Sequence, residues 1–209
     1  DHLLLPVAYR ATADQDAPQL LSEAGLFTYS GVFDRETNSP DLQFFFGPIQ
    51  YADPQYVDGG PGFTLVPILA QPRSRGSVTL ASADPFTKPL VDPAYLSDPA
   101  DVEVLVTGVK LARRLAQDAA FTVLRDRELA PGADITSDEA LAAYVRASAS
   151  TVWHPVGTCR MGATDDPSAV VDPSLRVRGV TGLRVADASV MPMITAGNTN
   201  AATIMIGDK

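Results

Sequence analysis

Apolar positions fall into short extended runs over the first half of the chain and into one long helical stripe in its middle. The opening Asp1-His2-Leu3-Leu4-Leu5-Pro6-Val7-Ala8-Tyr9 begins abruptly in a strand-like run, where a natural N-terminus is more often polar. Ala17 to Ala24 reads as a short helix stopped at Gly25, a usual C-terminal glycine position. Leu42-Gln43-Phe44-Phe45-Phe46-Gly47-Pro48 predicts a buried aromatic strand, and a loop rich in Tyr, Asp, Pro and Gly follows from Tyr51 to Gly62. Phe63 to Leu69 and Gly76 to Ala81 predict two strands joined by the turn-rich Gln71-Pro72-Arg73-Ser74-Arg75. In the second, strict alternation turns Val78 and Leu80 inward. Pro89-Leu90-Val91-Asp92-Pro93 suits a sheet edge, because proline cannot donate to a central ladder.

The clearest helix runs from about Pro99 to Gln117. Val102, Leu105, Val106, Val109, Ala112 and Leu115 share one stripe, and Asp101, Lys110, Arg113 and Arg114 are expected to face water. Asp98 is its expected N-cap, with Pro99 at the first helical position. A second helix starts near Thr136, where Thr136 and Glu139 match a capping box, and turns Ala140, Leu141, Tyr144 and Val145 inward. Strands and helices mix without strict β-α-β alternation, so the expected fold class is α+β. After Ser150 the chain becomes rich in glycine, proline and short polar turns, as loops lining a site often are.

Composition narrows the picture only slightly. Of 209 residues 45% are hydrophobic and 20% charged, which fits a globular protein and argues against disordered or fibrous classes. No apolar run approaches the roughly 18–20 residues of a membrane span. A net charge of −9 argues against a nucleic-acid partner, which would want a basic face. The single Cys159 cannot form an internal disulfide, which favours a cytoplasmic setting.

Two stretches carry candidate chemistry: Thr151 to Gly162, and Val185 to Pro192 with Gly197 to Gly207. Histidine suits proton transfer near neutral pH, and His154 sits in a Gly/Pro-rich turn beside the only tryptophan. From pattern alone, a hydrogen-bonded loop histidine remains the first reading of His154, and an ordinary N-cap that of Asn198 and Asn200. A helix N-terminus can instead hold an anion. The G-x-S-x-G elbow, the phosphate loop and the G-x-G-x-x-G fingerprint are missing, and zinc-like ligand spacing is absent around His154 and Cys159, with His2 far away in sequence. Arg160 reads as a structural hydrogen-bond donor and Cys159 as a packed thiol.

The phrase Trp153-His154-Pro155-Val156-Gly157-Thr158-Cys159-Arg160-Met161-Gly162 resembles the signature of the glucose–methanol–choline (GMC) flavoprotein oxidoreductases. Val171 to Ser189, Met191-Pro192 and Gly197-Asn-Thr-Asn-Ala-Ala-Thr203 continue it in order, and Pro72 to Gly76 and Pro93 to Asp101 look like the same family's C-terminal region. Asp1-His2 matches the end of a phrase that falls mid-chain in that family.

The resemblance implies an FAD enzyme that oxidises an alcohol to an aldehyde or ketone, with His154 and Asn200 as the catalytic pair. It places flavin contacts at Asp187, Ala188, Asn200, Ala201 and Thr203, with His154 as general base and hydride passing to flavin N5. It also implies that residues 1–150 form most of a substrate-binding domain, with a mainly antiparallel sheet flanked by helices. Residues 151–209 would be the active-site segment and the return into a Rossmann-like FAD domain, as its C-terminal strand and helix. The ADP-binding N-terminal segment of that family has no counterpart here, so this chain is expected to be a fragment whose partner is that segment. Hydroxynitrile lyase or fatty-acid photodecarboxylase chemistry, and a flavin-free binding fragment, are the alternatives.

Overall fold

A computed structural model describes residues 1–12, 22, 24–36 and 38–208. Strands β1 (Leu3–Leu4) and β2 (Val7–Ala11) are one extended run broken at Leu5-Pro6. Both pair antiparallel with β5 (Gly62–Leu69), Leu3 opposite Leu69 and Val7 opposite Leu65. On the other edge of β5 lies β4 (Leu42–Gly47), and outside it β3 (Ala24–Thr28). β8 (Arg125–Ala130) flanks β2 and β9 (Ser150–Thr151) flanks β1, which completes a seven-stranded antiparallel sheet. A separate two-stranded hairpin pairs β6 (Ser77–Thr79) with β7 (Leu90–Asp92).

All eight residues of β5 are buried, because both faces of this central strand are covered. Phe63, Leu65 and Leu69 enter the main core with Leu5, Val7, Leu42 and Phe44. Helix α1 (Pro99–Ala116) supplies Val102, Leu105, Val109 and Ala112 to that core, and α2 (Asp138–Ser148) adds Leu141 and Val145. α1 comes so close to the sheet at Gly108 that a Cβ there would lie 2.7 Å from Pro67 Cβ, so only glycine fits without a shift. On the opposite sheet face Val66 and Ile68 cluster with Leu4, Phe45 and Val152. That second face leads to the candidate site. Among the described residues no helix is long and apolar enough to cross a membrane.

The helical stripe, Asp98 as its cap and the strands at 42–47 and 62–69 all lie where the sequence places them. Four local readings are corrected. Asp101 is fully buried: its carboxylate accepts from Arg73 N and Ser74 N at 2.8 Å and from Ser74 Oγ at 2.5 Å. The irregular 72–75 turn needs acceptors for its N–H groups, and a carboxylate in the first turn of α1 also suits the helix dipole. Val78 and Leu80 are 48% and 86% exposed, because β6 pairs with β7 and not with β5, and none of the described residues covers that hairpin. Ser137, not Thr136, caps α2, accepting from Ala140 N at 3.1 Å. The helix expected over Ala17–Ala24 falls largely outside the described residues, but its expected end is strand: Ala24 and Gly25 oppose Phe46 and Phe45. β8, rich in charge, is a strand that periodicity does not mark; Glu128 pairs with Arg113 of α1 at 2.7 Å.

Candidate active site

His154 follows a backbone that is locally strained. Trp153 adopts φ of 59°, a left-handed conformation costly for a bulky residue, and its side chain is 77% exposed. The turn is held by short hydrogen bonds. Trp153 N donates to Thr151 Oγ1 at 2.7 Å, and Thr151 Oγ1 donates to Asp1 Oδ2 at 2.7 Å. His154 N donates to Asp1 Oδ1 at 2.9 Å, and Tyr95 OH donates to Asp1 Oδ2 at 2.6 Å. One carboxylate thus ties together the first strand run, the β9 turn and the loop after β7.

The side chain of His154 meets His2. Their Nδ1 atoms are 2.9 Å apart and the rings cross edge to face at 84°. His2 is fully buried, and its Nε2 lies 3.0 Å from both the Ala70 carbonyl and the Thr195 carbonyl. Burial first, and the facing His154 second, push the His2 imidazole down to about 4, against the pull of the two carbonyls. His154 is only partly buried; burial lowers it below its ordinary 6.5. Both rings are therefore neutral at pH 7.

The segments of the two motifs lie side by side. Cys159 N donates to Ser189 O at 2.9 Å and Met161 N to Val190 O at 2.8 Å. Gly157 supplies the left-handed turn that leads into this pairing, with φ of +87°, a conformation that favours glycine. Val171, Val190, Met191 and Ile206 form a second core, against which Ala188 and Ala202 pack. This core places the short 3₁₀ turn Ala188–Val190 beside helix α3 (Asn200–Asp208). Asp187 caps that turn, accepting from Ser189 N at 2.8 Å, and is exposed.

Asn200 and Ala201 stand exposed in the first turn of α3, where backbone N–H groups lack intrahelical acceptors. Thr203 Oγ1 donates within the helix to Thr199 O at 2.8 Å, which leaves its oxygen as an acceptor. Asn198, the other asparagine, is taken up structurally, accepting from Gln43 Nε2 at 3.0 Å. Among the described residues no hydrogen bond joins His154 to Asn200; the link runs through His2 to Thr195, five residues before Asn200. Arg160 pairs with Asp166 at 3.1 Å and donates to Ser168 at 2.9 Å, a structural role.

His2 is the residue that sequence reasoning passed over. Its distance of 152 residues from His154 hid it, although the Asp1-His2 phrase was itself a signal. The residues expected at FAD fit such a group: Ala188 and Ala201 are small, the exposed Asn200 amide and the N–H groups at the start of α3 offer donors, and the exposed Asp187 carboxylate offers an acceptor.

Comparison with known proteins points the same way. The chain is 44% identical over 189 residues to an alcohol dehydrogenase [acceptor] of Pseudomonas putida, a match covering 90% of this chain and 33% of that protein. It is also 44% identical over 193 residues to a choline oxidase of Arthrobacter globiformis, covering 90% and 35%. The chain thus spans about a third of the length of the curated relatives it matches. Among solved structures, pyridoxine 4-oxidase from Mesorbium loti superposes with a TM-score of 0.88 at 31% identity, over all of this chain and 41% of that one. A formate oxidase shares the fold, with a TM-score of 0.83 at 23% identity. The family model described as GMC oxidoreductase matches residues 72–207, and the chain belongs to the GMC oxidoreductase family.

Proposed function

We propose that this chain is the substrate-facing part of an FAD-dependent enzyme that oxidises an alcohol to an aldehyde or ketone. The observation that carries the reading is a neutral, partly buried His154 imidazole, fixed through its backbone by Asp1 and through its ring by His2. A fixed neutral imidazole is suited to take a proton and poorly suited to give one.

In this reading Asp187, Ala188, Asn200, Ala201 and Thr203 hold FAD, the last through its remaining acceptor capacity. Bound FAD supplies the hydride acceptor at its N5. His154 accepts the hydroxyl proton of the alcohol and keeps it on the ring. Asn200 donates an amide hydrogen bond to the substrate oxygen, aligning it and stabilising the charge that builds there. The first turn of α3 adds its N–H groups and positive dipole end to the flavin side of the site. Residues 1–150 form most of a substrate-binding domain, and residues 151–209 carry the site and return into the FAD domain. The family's N-terminal FAD-binding segment is the partner that completes the cofactor site.

The test is an anaerobic absorption spectrum of the full-length protein before and after a panel of alcohols is added. Flavin bands that bleach with an alcohol support the reading. Bands that ignore every alcohol overturn it in favour of non-oxidative chemistry on the same scaffold.

A further inference from the structure

We propose that His2 is a positioning residue that sets the tautomer of His154, keeping the proton on Nδ1 and leaving Nε2 bare as the proton acceptor. This rests on His154 acting as the base in the reading above, and it adds a residue and an atom assignment to it.

The argument is a count of donors and acceptors. His2 Nε2 faces two backbone carbonyl oxygens, Ala70 and Thr195, each at 3.0 Å. A carbonyl oxygen only accepts, so His2 Nε2 carries a hydrogen. A neutral imidazole holds one N–H, so His2 Nδ1 must be the acceptor. Facing it at 2.9 Å is His154 Nδ1, which must then donate. A neutral His154 with its hydrogen on Nδ1 has a lone pair on Nε2. The chain of hydrogen bonds permits one arrangement of neutral rings.

The alternative needs a second proton on His2. That ring is fully buried and held near 4, so it stays neutral over the range in which an enzyme of this kind works. The sheet builds the device. His2 immediately precedes β1, and its carbonyl accepts from Val152 N at 3.2 Å, two residues before His154. The backbone register thus brings the two rings together, while Asp1 holds the His154 N–H. The Thr195 carbonyl adds a tie to the loop that leads into α3, so the same imidazole links the two proposed catalytic segments.

The test uses the full-length flavoprotein labelled with ¹⁵N-histidine and long-range ¹H–¹⁵N correlation, with the His154 and His2 signals identified by their loss in His154→Gln and His2→Leu. The expected wild-type spectrum shows His154 protonated at Nδ1 and His2 at Nε2. His2→Leu, which removes the acceptor, should shift His154 toward the Nε2–H form and lower kcat at least about tenfold, a part of the roughly 10²–10⁴ that general-base help supplies. KM and the flavin spectrum should change little. His2→Gln, with an amide that accepts and donates, should recover most of the loss.

A wild-type His154 protonated at Nε2 overturns the proposal, and His154→Gln alone suffices to identify that signal. So does His2→Leu with unchanged tautomer and kcat. If no alcohol is oxidised, the functional reading falls, while the spectrum still decides the tautomer by itself.

Discussion

At the scale of single residues the decisive feature is that His154 is held at three points. Its N–H is on Asp1, its ring nitrogen is on His2, and the preceding Trp153 occupies a strained left-handed conformation. Strain of this sort persists only where surrounding bonds over-determine it. Replacing His154 by alanine removes the proposed base without touching the flavin contacts, so turnover should fall by about 10²–10⁴ with FAD retained. Stopped-flow reduction of the enzyme-bound flavin measures it, and a loss under about tenfold would exclude this histidine as the base. The pH dependence follows from the lowered His154 value. A base works when unprotonated, so kcat/KM should be flat at neutral pH and decline as pH falls through an inflection below 6.5. Among the described residues, the titratable groups packed on His154 are the Asp1 carboxylate and the His2 ring. An inflection above 6.5 would mean that burial does not govern this ring.

At the scale of elements, Asp101 joins the first turn of α1 to the Pro72–Arg75 turn with three hydrogen bonds from two residues. Asp98 N in turn donates to Ser74 Oγ at 3.0 Å, so the helix start and the turn are mutually capped. Asp101→Ala would leave two N–H groups of a partly exposed turn without their buried acceptor. It should therefore cost roughly 1–3 kcal/mol, since water can reach part of the turn while a fully buried unsatisfied donor costs about 1–3. Denaturant unfolding checks this as a lower midpoint with an unchanged slope. A loss below about 0.5 kcal/mol would show the turn finds other acceptors. Arg113, paired with Glu128 and also donating to the carbonyls of Ile135 and Gly132, fastens the other end of α1 to β8. The helix is therefore clamped at both ends, and the second sheet face that carries His2 inherits that rigidity.

At the scale of the molecule, the two faces of the structure differ. The main core is sealed between the sheet and helices α1 and α2, whereas the β6–β7 side presents Leu80 at 86% and Phe86 at 94% exposure. Exposed apolar groups gathered on one hairpin mark a contact surface more often than scattered ones do. If the FAD-binding segment covers them, Leu80→Asp and Phe86→Asp in the full-length protein should each lower its melting temperature and its retention of FAD. If they face water there too, each change should stay within about 0.5 kcal/mol. Differential scanning calorimetry with and without added FAD separates the two outcomes.

The amino-acid sequence by itself determined the parts whose cause is local. The apolar stripe of α1 with Asp98 and Pro99 at its start, the strands at 42–47 and 62–69, and the family motifs around His154 and Asn200 all show in short windows. Hydrophobic period and capping chemistry act over a turn or two, so a window contains what decides them. The tertiary structure alone decided whether Asp101 or Val78 is buried, and that the charged stretch 125–130 is a strand. It alone brought His2 to His154, because these outcomes depend on partners supplied from elsewhere in the chain. Burial and strand pairing are set by what the rest of the chain places opposite a residue, and two imidazoles 152 positions apart become one hydrogen-bonded unit only when β1 and β9 align.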